Sequence, residues 1–243
     1  MTVTGVNLDE QRYRYRALDN WFKTPQGLFL GEAFSNQLSQ FKHHLNQNIL
    51  LQLGGCGENT WLSQNKFKHA WLSTPCLNTP NTSLIASPKQ LPLDRNSVDV
   101  VIAPLIFEIF GQDESPLDEM DRVLNPMGHV IVFGINPLSF WGLSLASSRL
   151  TELGQAGMRP HSPWTLKRAF LNRGYQQQRF DMFYYVPPFQ RKQWIKNSSF
   201  LNEMGKIMPV FPAGFYCLVM QKYEKLCAPP VTRSRQEPLL FPG

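Results

Sequence analysis

Apolar residues near the amino terminus recur at helical spacing. Leu8, Leu18 and Trp21 can share one face of a helix, which the Thr24–Pro25 step then breaks. Proline is favoured in the first turn of a helix, so a second helix is predicted to begin at this step. The two helices are expected to form an amino-terminal cap over residues 1–46.

After residue 46 the pattern changes to short apolar runs that alternate with helical stretches. Several runs end at glycine or proline, as buried strands often do. The predicted strands are 49–53, 68–72, 83–86, 98–104, 130–133, 176–185 and 215–223, and the predicted helices include 117–124 and 162–171. This alternation predicts βαβ units and a mainly parallel α/β sheet.

Composition is that of an ordinary globular protein. Of 243 residues, 42% are hydrophobic and 17% are charged, which argues against a disordered chain. No stretch offers about 18 uninterrupted apolar residues, so we expect no integral membrane association. The proline-rich, basic residues 227–243 are predicted to form a disordered tail.

The net charge of +6 leaves two interpretations open. A basic surface attracts nucleic acid, and residues 12–16 alternate arginine with tyrosine, which makes nucleic acid a weakly supported partner. A basic cytosolic protein is the favoured alternative, because the excess charge is spread along the chain. The sequence does not indicate the oligomeric state.

Cysteine usage and the amino terminus indicate the compartment. The four cysteines lack metal-binding spacing and are interpreted as free thiols in a reducing environment. The first residues lack the apolar region of a secretory signal. We therefore expect a cytoplasmic protein of bacterial type. The five histidines are scattered, so no metal is predicted.

The first candidate for chemistry is the glycine turn that follows the first predicted strand. Residues 49–57 read ILLQLGGCG and end in Gly54, Gly55 and Gly57. Glycines let a ligand approach the backbone, and ligands of parallel sheets bind at the carboxyl ends of the strands. A tight turn without a ligand is an equally good interpretation of these letters alone.

The second candidate lies between residues 91 and 142. Leu91–Pro92–Leu93 precedes Ser97–Val98–Asp99, and a helix then ends in the pattern that comprises Glu119, Arg122–Val123–Leu124, Pro126 and Gly128. This block resembles the second half of a class I S-adenosylmethionine-dependent methyltransferase of the type 11 family. Each residue also has a structural interpretation: Asp99 as a buttress of its strand, and Glu119 with Arg122 as a surface pair.

A narrower resemblance covers nearly the whole chain. Trp21–Phe22, Thr24–Pro25 and Gly27, together with NPLSFWGL at Asn136–Leu143, resemble the WFxTPxG and NPxSxxGL motifs of a poorly characterised bacterial subgroup. The resemblance implies a Rossmann-like sheet of seven mostly parallel strands, the last antiparallel. It also implies a methyltransferase-like domain over residues 47–226, with a helical insertion at about 187–212.

The resemblance further implies S-adenosylmethionine as the cofactor and methyl transfer to a small-molecule, RNA or protein acceptor that the sequence does not identify. The implied cofactor contacts are Gly54, Gly55, Gly57, Ser73, Ser87 and Pro104. The acceptor pocket is expected between the amino-terminal helices and the insertion.

Three carboxylates of the family are neutral here. Gln52–Leu53 precedes the glycines, Ser73 stands near the end of the second strand, and Ser87 takes the place of the third acid. A hydrogen bond to a charged group contributes roughly 1.5–3 kcal/mol, so cofactor affinity is expected to fall. A catalytically degenerate fold that acts as a binding or scaffold protein is therefore the alternative.

No catalytic residue is required by this chemistry, because methyl transfer depends mainly on proximity and orientation. Glu108, on a predicted loop after the fourth strand, is a candidate for orienting the acceptor or the cofactor's amino group. A buried capping role is its other interpretation. Asn136, after the fifth strand, is the second candidate for contact with ligand or substrate.

Overall fold

The computed structural model describes residues 7–41, 49–57, 59, 67–77, 81–147, 152–188 and 212–223. Two helices form the first described range. Helix α1 spans Leu8–Phe22, and the Asn7 side chain caps it by accepting the amides of Asp9 and Glu10. Helix α2 spans Pro25–Ser39, with Thr24 as its cap. The break predicted at Thr24–Pro25 is confirmed, because threonine caps the new helix and proline fits its first turn.

Seven strands form one sheet in the order β3-β2-β1-β4-β5-β7-β6. Strand β7 runs antiparallel to both β5 and β6, and the other pairs are parallel. The bounds are Ile49–Leu53 (β1), His69–Thr74 (β2), Leu84–Ile85 (β3), Val98–Pro104 (β4), Leu124–Ile135 (β5), Tyr175–Phe183 (β6) and Phe215–Lys222 (β7). The predicted sheet, including its antiparallel last strand, is confirmed.

Within the described residues, five further helices connect or flank these strands. They are Ile106–Phe110 (α3), Ser115–Val123 (α4), Phe140–Ala146 (α5), Glu152–Gln155 (α6) and Pro163–Asn172 (α7). The sequence predicted α4 and α7 but treated Glu108 and the NPLSFWGL motif as loop. That expectation was wrong for Glu108 and for residues 140–143: α3 and α5 are short and largely apolar, so they lack the polar face that marks a helix in a sequence.

The core is built around the central strands β4 and β5, whose inner residues are apolar. Val100, Ile102, Val130 and Val132 are fully buried or nearly so, as expected for strands covered on both faces. Helix α2 joins this core through Phe34, whose ring stacks on that of Phe133 with centroids 4.2 Å apart.

The two subgroup motifs pack against each other. The rings of Trp21 and Trp141 meet edge to face at a centroid distance of 5.6 Å. A Cβ atom at Gly27 would overlap the Trp21 carbonyl oxygen, and one at Gly142 would overlap that of Asn136. The glycines of both motifs thus allow close packing between backbone segments.

Parts of the predicted domain division lie outside the described residues. These are residues 42–48, where the boundary between cap and domain was placed, most of the 187–212 insertion, and the tail at 227–243. The division therefore stays a prediction. Among the helices that the structure describes, none has the length and apolar character needed to cross a membrane.

We predict that Gly27→Ala destabilises the protein by about 1–3 kcal/mol, because the added methyl group must displace backbone atoms of Trp21 and Phe22. Alanine favours a helix over glycine by about 1 kcal/mol, so helix propensity alone would predict that Gly27→Ala stabilises the protein. Urea unfolding measures the difference. Glu32→Ala, at an exposed position of α2, is the matched control. Equal or greater stability of Gly27→Ala would contradict the packing argument.

Candidate functional site

The glycine turn lies at the carboxyl end of β1 and is buried throughout residues 54–57. Gly54 and Gly57 have φ angles of +86° and +61°, a region in which residues with a Cβ are disfavoured. The Gly54 amide donates to the Ser73 carbonyl at 2.7 Å, which ties the turn to the end of β2.

Neutral side chains hold the turn from within. The Gln52 amide donates to the Gly54 carbonyl at 2.9 Å and to Asn59 Oδ1 at 2.6 Å. Asn59 Oδ1 also accepts the Cys56 amide at 2.9 Å, and Asn59 Nδ2 donates to the Gly57 carbonyl at 3.1 Å. The glutamine that replaces the family's acid therefore satisfies the backbone of the turn itself.

Helix α1 lies across the turn. A Cβ atom at Gly54 would be 2.6 Å from Tyr15 Cε1, and one at Gly57 would be 3.3 Å from Phe22 Cβ. Asp19 Oδ1 accepts the Gly57 amide at 3.0 Å, so the carboxylate beside the turn comes from α1 rather than from β1. Sequence reasoning missed Tyr15 and Asp19, although their spacing with Phe22 places all three on one helix face.

The same helix also touches the segments that follow β2, β3 and β4. Each contact is a part-buried hydrogen bond: Ser87 Oγ to Gln11 Oε1 at 2.8 Å, Arg12 Nε to the Pro75 carbonyl at 3.3 Å, and Arg14 Nη1 to the Ile109 carbonyl. The alternating arginines thus include two that dock α1 onto the sheet edge. Helix α1 covers the edge where ligands of parallel sheets bind.

The predicted cofactor contacts lie at the carboxyl ends of β1, β2 and β4 and in the segment after β3. Gly54, Gly55, Gly57, Ser73 and Pro104 are buried, and Ser87 is half-buried. Within the part of the chain that the structure describes, the buried Ser73 and Tyr15 hydroxyls have no hydrogen-bond partner. A buried group of this kind costs roughly 1–3 kcal/mol, so the Ser73 hydroxyl has unused capacity for a ligand.

Glu108 lies on α3 and points into the protein. Its Oε1 accepts the Ile135 amide at 2.8 Å, at the end of β5. Burial raises its pKa to about 8, against the opposing effect of this hydrogen bond. In this conformation Glu108 fixes the end of β5.

Asn136 follows directly and ties β5 to the start of β7. Its Nδ2 donates to the Ala213 carbonyl at 2.9 Å, its Oδ1 accepts the Leu138 amide at 3.1 Å, and its own amide donates to the Gly214 carbonyl at 2.9 Å. Both polar atoms of the side chain are therefore engaged within the fold.

Asp99, an early residue of β4, buttresses neighbouring segments. Its two carboxylate oxygens accept the Ile49 amide at 2.9 Å and Asn125 Nδ2 at 2.7 Å. This position is at the amino ends of β1 and β4, away from the glycine turn.

Glu119 and Arg122 form more than the surface pair that the sequence suggested. Glu119 Oε1 accepts the Leu91 amide at 2.8 Å, and Arg122 donates to the carbonyls of Leu91 and Leu93 at 2.9 and 2.8 Å. The pair clamps the backbone of the LPL segment before β4. These family residues therefore support the fold.

A cavity of about 670 Å³ lies between α3, α4 and α7, on the other side of α3 from the turn. Phe107 and His161 line this cavity, whereas Phe110 meets Tyr15 at a centroid distance of 6.4 Å. Burial lowers the pKa of His161. In the described ranges no group of three His, Cys, Asp or Glu side chains converges as a metal site.

Part of the chain matches a known family. The profile of a family described as methyltransferase domain matches residues 62–132, a stretch that ends within β5. No curated protein matches the chain.

The fold is shared with solved structures. A methyltransferase dependent on S-adenosylmethionine from Archaeoglobus fulgidus has a TM-score of 0.62 and 14% identity, over 86% of this chain and 99% of its own. Another methyltransferase dependent on S-adenosylmethionine, from Thermotoga maritima, has a TM-score of 0.59 and 16% identity, over 86% of this chain and 99% of its own. Geranyl diphosphate C-methyltransferase from Streptomyces coelicolor, in complex with S-adenosyl-L-homocysteine, has a TM-score of 0.54 and 13% identity, over 77% of this chain and 79% of its own. At these identities the likeness shows the fold.

Residues 62–132 match a methyltransferase domain, and the seven-stranded sheet has the fold of the class I S-adenosylmethionine-dependent methyltransferases. These are transferases, and S-adenosylmethionine is the cofactor of the class.

We predict that Glu108 makes stability fall as pH rises. Its pKa is raised from 4.5 to about 8, so the folded protein retains a proton that the unfolded chain releases between these values. The contribution of Glu108 to the free energy of unfolding is largest below pH 4.5 and is lost by about pH 8. The free energy of unfolding changes by on the order of a few kcal/mol over this range. Urea unfolding at pH 5 to 8.5 should show a flatter pH dependence for Glu108→Gln than for the wild type. Glu32→Gln, at an exposed position, should keep the wild-type slope. The same slope in all three proteins would contradict the assignment.

Proposed function

We propose that this chain transfers a methyl group from S-adenosylmethionine to an acceptor and that it holds the cofactor at the carboxyl ends of β1, β2 and β4. The binding residues are Gly54, Gly55, Gly57, Ser73, Ser87 and Pro104. The observation that carries this assignment is the unpartnered Ser73 hydroxyl, fully buried beside the glycine turn.

The donor set fits the chemistry of the cofactor. The ribose of the cofactor carries hydroxyl groups, and a serine hydroxyl can both donate a hydrogen bond and accept one. Ser73 can therefore take part of the role that the family gives to a carboxylate, as a neutral partner.

When bound, the cofactor supplies a methyl group activated by its sulfonium. The chain contributes position and orientation, which account for most of the catalysis in such a displacement. Glu108 and Asn136 are assigned as positioning residues, because their hydrogen bonds fix the end of β5 and the start of β7. Neither needs to exchange a proton with the acceptor in this role.

The acceptor is a small molecule, an RNA or a protein, the three classes that the sequence left open. The match to a methyltransferase domain favours an enzyme over a scaffold that binds no cofactor. A cytoplasmic location is part of the proposal, supported by Cys56, Cys76 and Cys217 as buried free thiols.

We predict that Ser73→Ala weakens S-adenosylhomocysteine binding by about three- to ten-fold, the effect of losing one neutral hydrogen bond. The substitution should leave the stability of the ligand-free protein unchanged or higher, because the hydroxyl has no partner to lose. Isothermal titration calorimetry and urea unfolding measure the two quantities.

Ser97→Ala is the matched control, because Ser97 lies before β4 at the opposite edge and its hydroxyl donates locally, to the Asp94 carbonyl. It should leave affinity unchanged. Equal affinity of Ser73→Ala and wild type would refute the assignment of Ser73. No binding by the wild type up to millimolar ligand, in a cooperatively folded sample, would refute the proposed function and favour a scaffold.

A further inference from the structure

We propose that the amino-terminal half of α1, residues 8–15, is a gate that closes the cofactor site with Tyr15 as its plug. This inference rests on the proposed function, since it assumes that the cofactor contacts the glycine turn. A ligand can reach Gly54 only after Tyr15 has moved.

The Tyr15 ring fills the space directly above Gly54. Tyr15 Cε1 and Cδ1 would lie 2.6 and 3.3 Å from a Cβ atom at Gly54, so the ring rests directly on the glycine. A ligand atom cannot share that position. Tyr15 is itself only 1% exposed, and residues 54–57 are buried beneath it and its neighbours.

The two ends of α1 are held differently. The carboxyl-terminal end is locked, because Gly27 packs on the backbone of Trp21 and Phe22, and Trp21 meets Trp141. The amino-terminal half is held by four part-buried side-chain hydrogen bonds, which involve Gln11, Arg12 and Arg14, and by the Tyr15 ring, which meets Phe110 edge to face. Water can replace bonds of this kind, so this half can leave while the other stays.

The closed gate also leaves a polar group unsatisfied. Within the described residues the Tyr15 hydroxyl has no hydrogen-bond partner, although it is fully buried. Opening the gate exposes that hydroxyl to water. The unsatisfied hydroxyl therefore lowers the free energy needed to open the gate.

The test compares Tyr15→Leu with Tyr13→Leu by titration calorimetry with S-adenosylhomocysteine. Tyr13 is on the same helix and is 60% exposed, so it controls for a change in helix composition. If Tyr15 is a plug, the smaller leucine raises the open fraction, and the apparent affinity should rise by about ten-fold. Tyr13→Leu should stay within about two-fold of the wild type.

Weaker or unchanged binding by a folded Tyr15→Leu variant, with intact binding by the wild type, would overturn the gate and leave the proposed function standing. Binding by none of the three proteins would overturn both. Binding by Tyr15→Leu alone would support both.

If Tyr15→Leu does not fold, stopped-flow kinetics of the wild type decide the question, with tryptophan fluorescence as the signal. A gate that opens before binding predicts an observed rate that levels off or falls as S-adenosylhomocysteine increases. A rate that rises linearly to the highest concentration, without a plateau, would overturn the gate.

Discussion

The packing of α1 across the carboxyl edge of the sheet is the constraint on which the site depends. Tyr15 rests on Gly54, and Asp19 accepts the Gly57 amide. The space above the turn and one of its backbone donors are therefore taken by the same helix face. This arrangement explains how a turn without its usual carboxylates is stable, since Gln52 and Asn59 satisfy its interior while α1 covers its outer side.

The residues that mark the family serve mainly to hold this frame. Glu119 and Arg122 clamp the segment before β4, and Asn136 joins β5 to β7. The two subgroup motifs meet at the Trp21–Trp141 contact, which anchors the carboxyl-terminal end of α1. The hydroxyls of Ser73 and Tyr15 differ from all of these, because in the described structure they are buried without a partner. The Ser73 hydroxyl is therefore available to a ligand, while the Tyr15 ring covers the turn.

Much of the fold could be predicted from local signals. Strands β1 and β4 are mostly apolar runs, and the Thr24–Pro25 step carries both a cap and a break, so their positions were predicted correctly. Helices α3 and α5 were missed because they have no clear polar face. The Asp19–Gly57 bond joins residues 38 apart, and no local pattern indicates which helix face will meet which turn. The sequence therefore predicted the site as a set of strand ends, but it did not predict that helix α1 covers them.

Native-state hydrogen exchange of the ligand-free protein tests the central claim most directly, because it measures the opening of each segment separately. We predict that amides in the first half of α1 exchange through an opening whose free energy is at least about 2 kcal/mol smaller than that of β5, while the sheet remains folded. Exchange of these amides only through global unfolding, with the same free energy as β5, would contradict it.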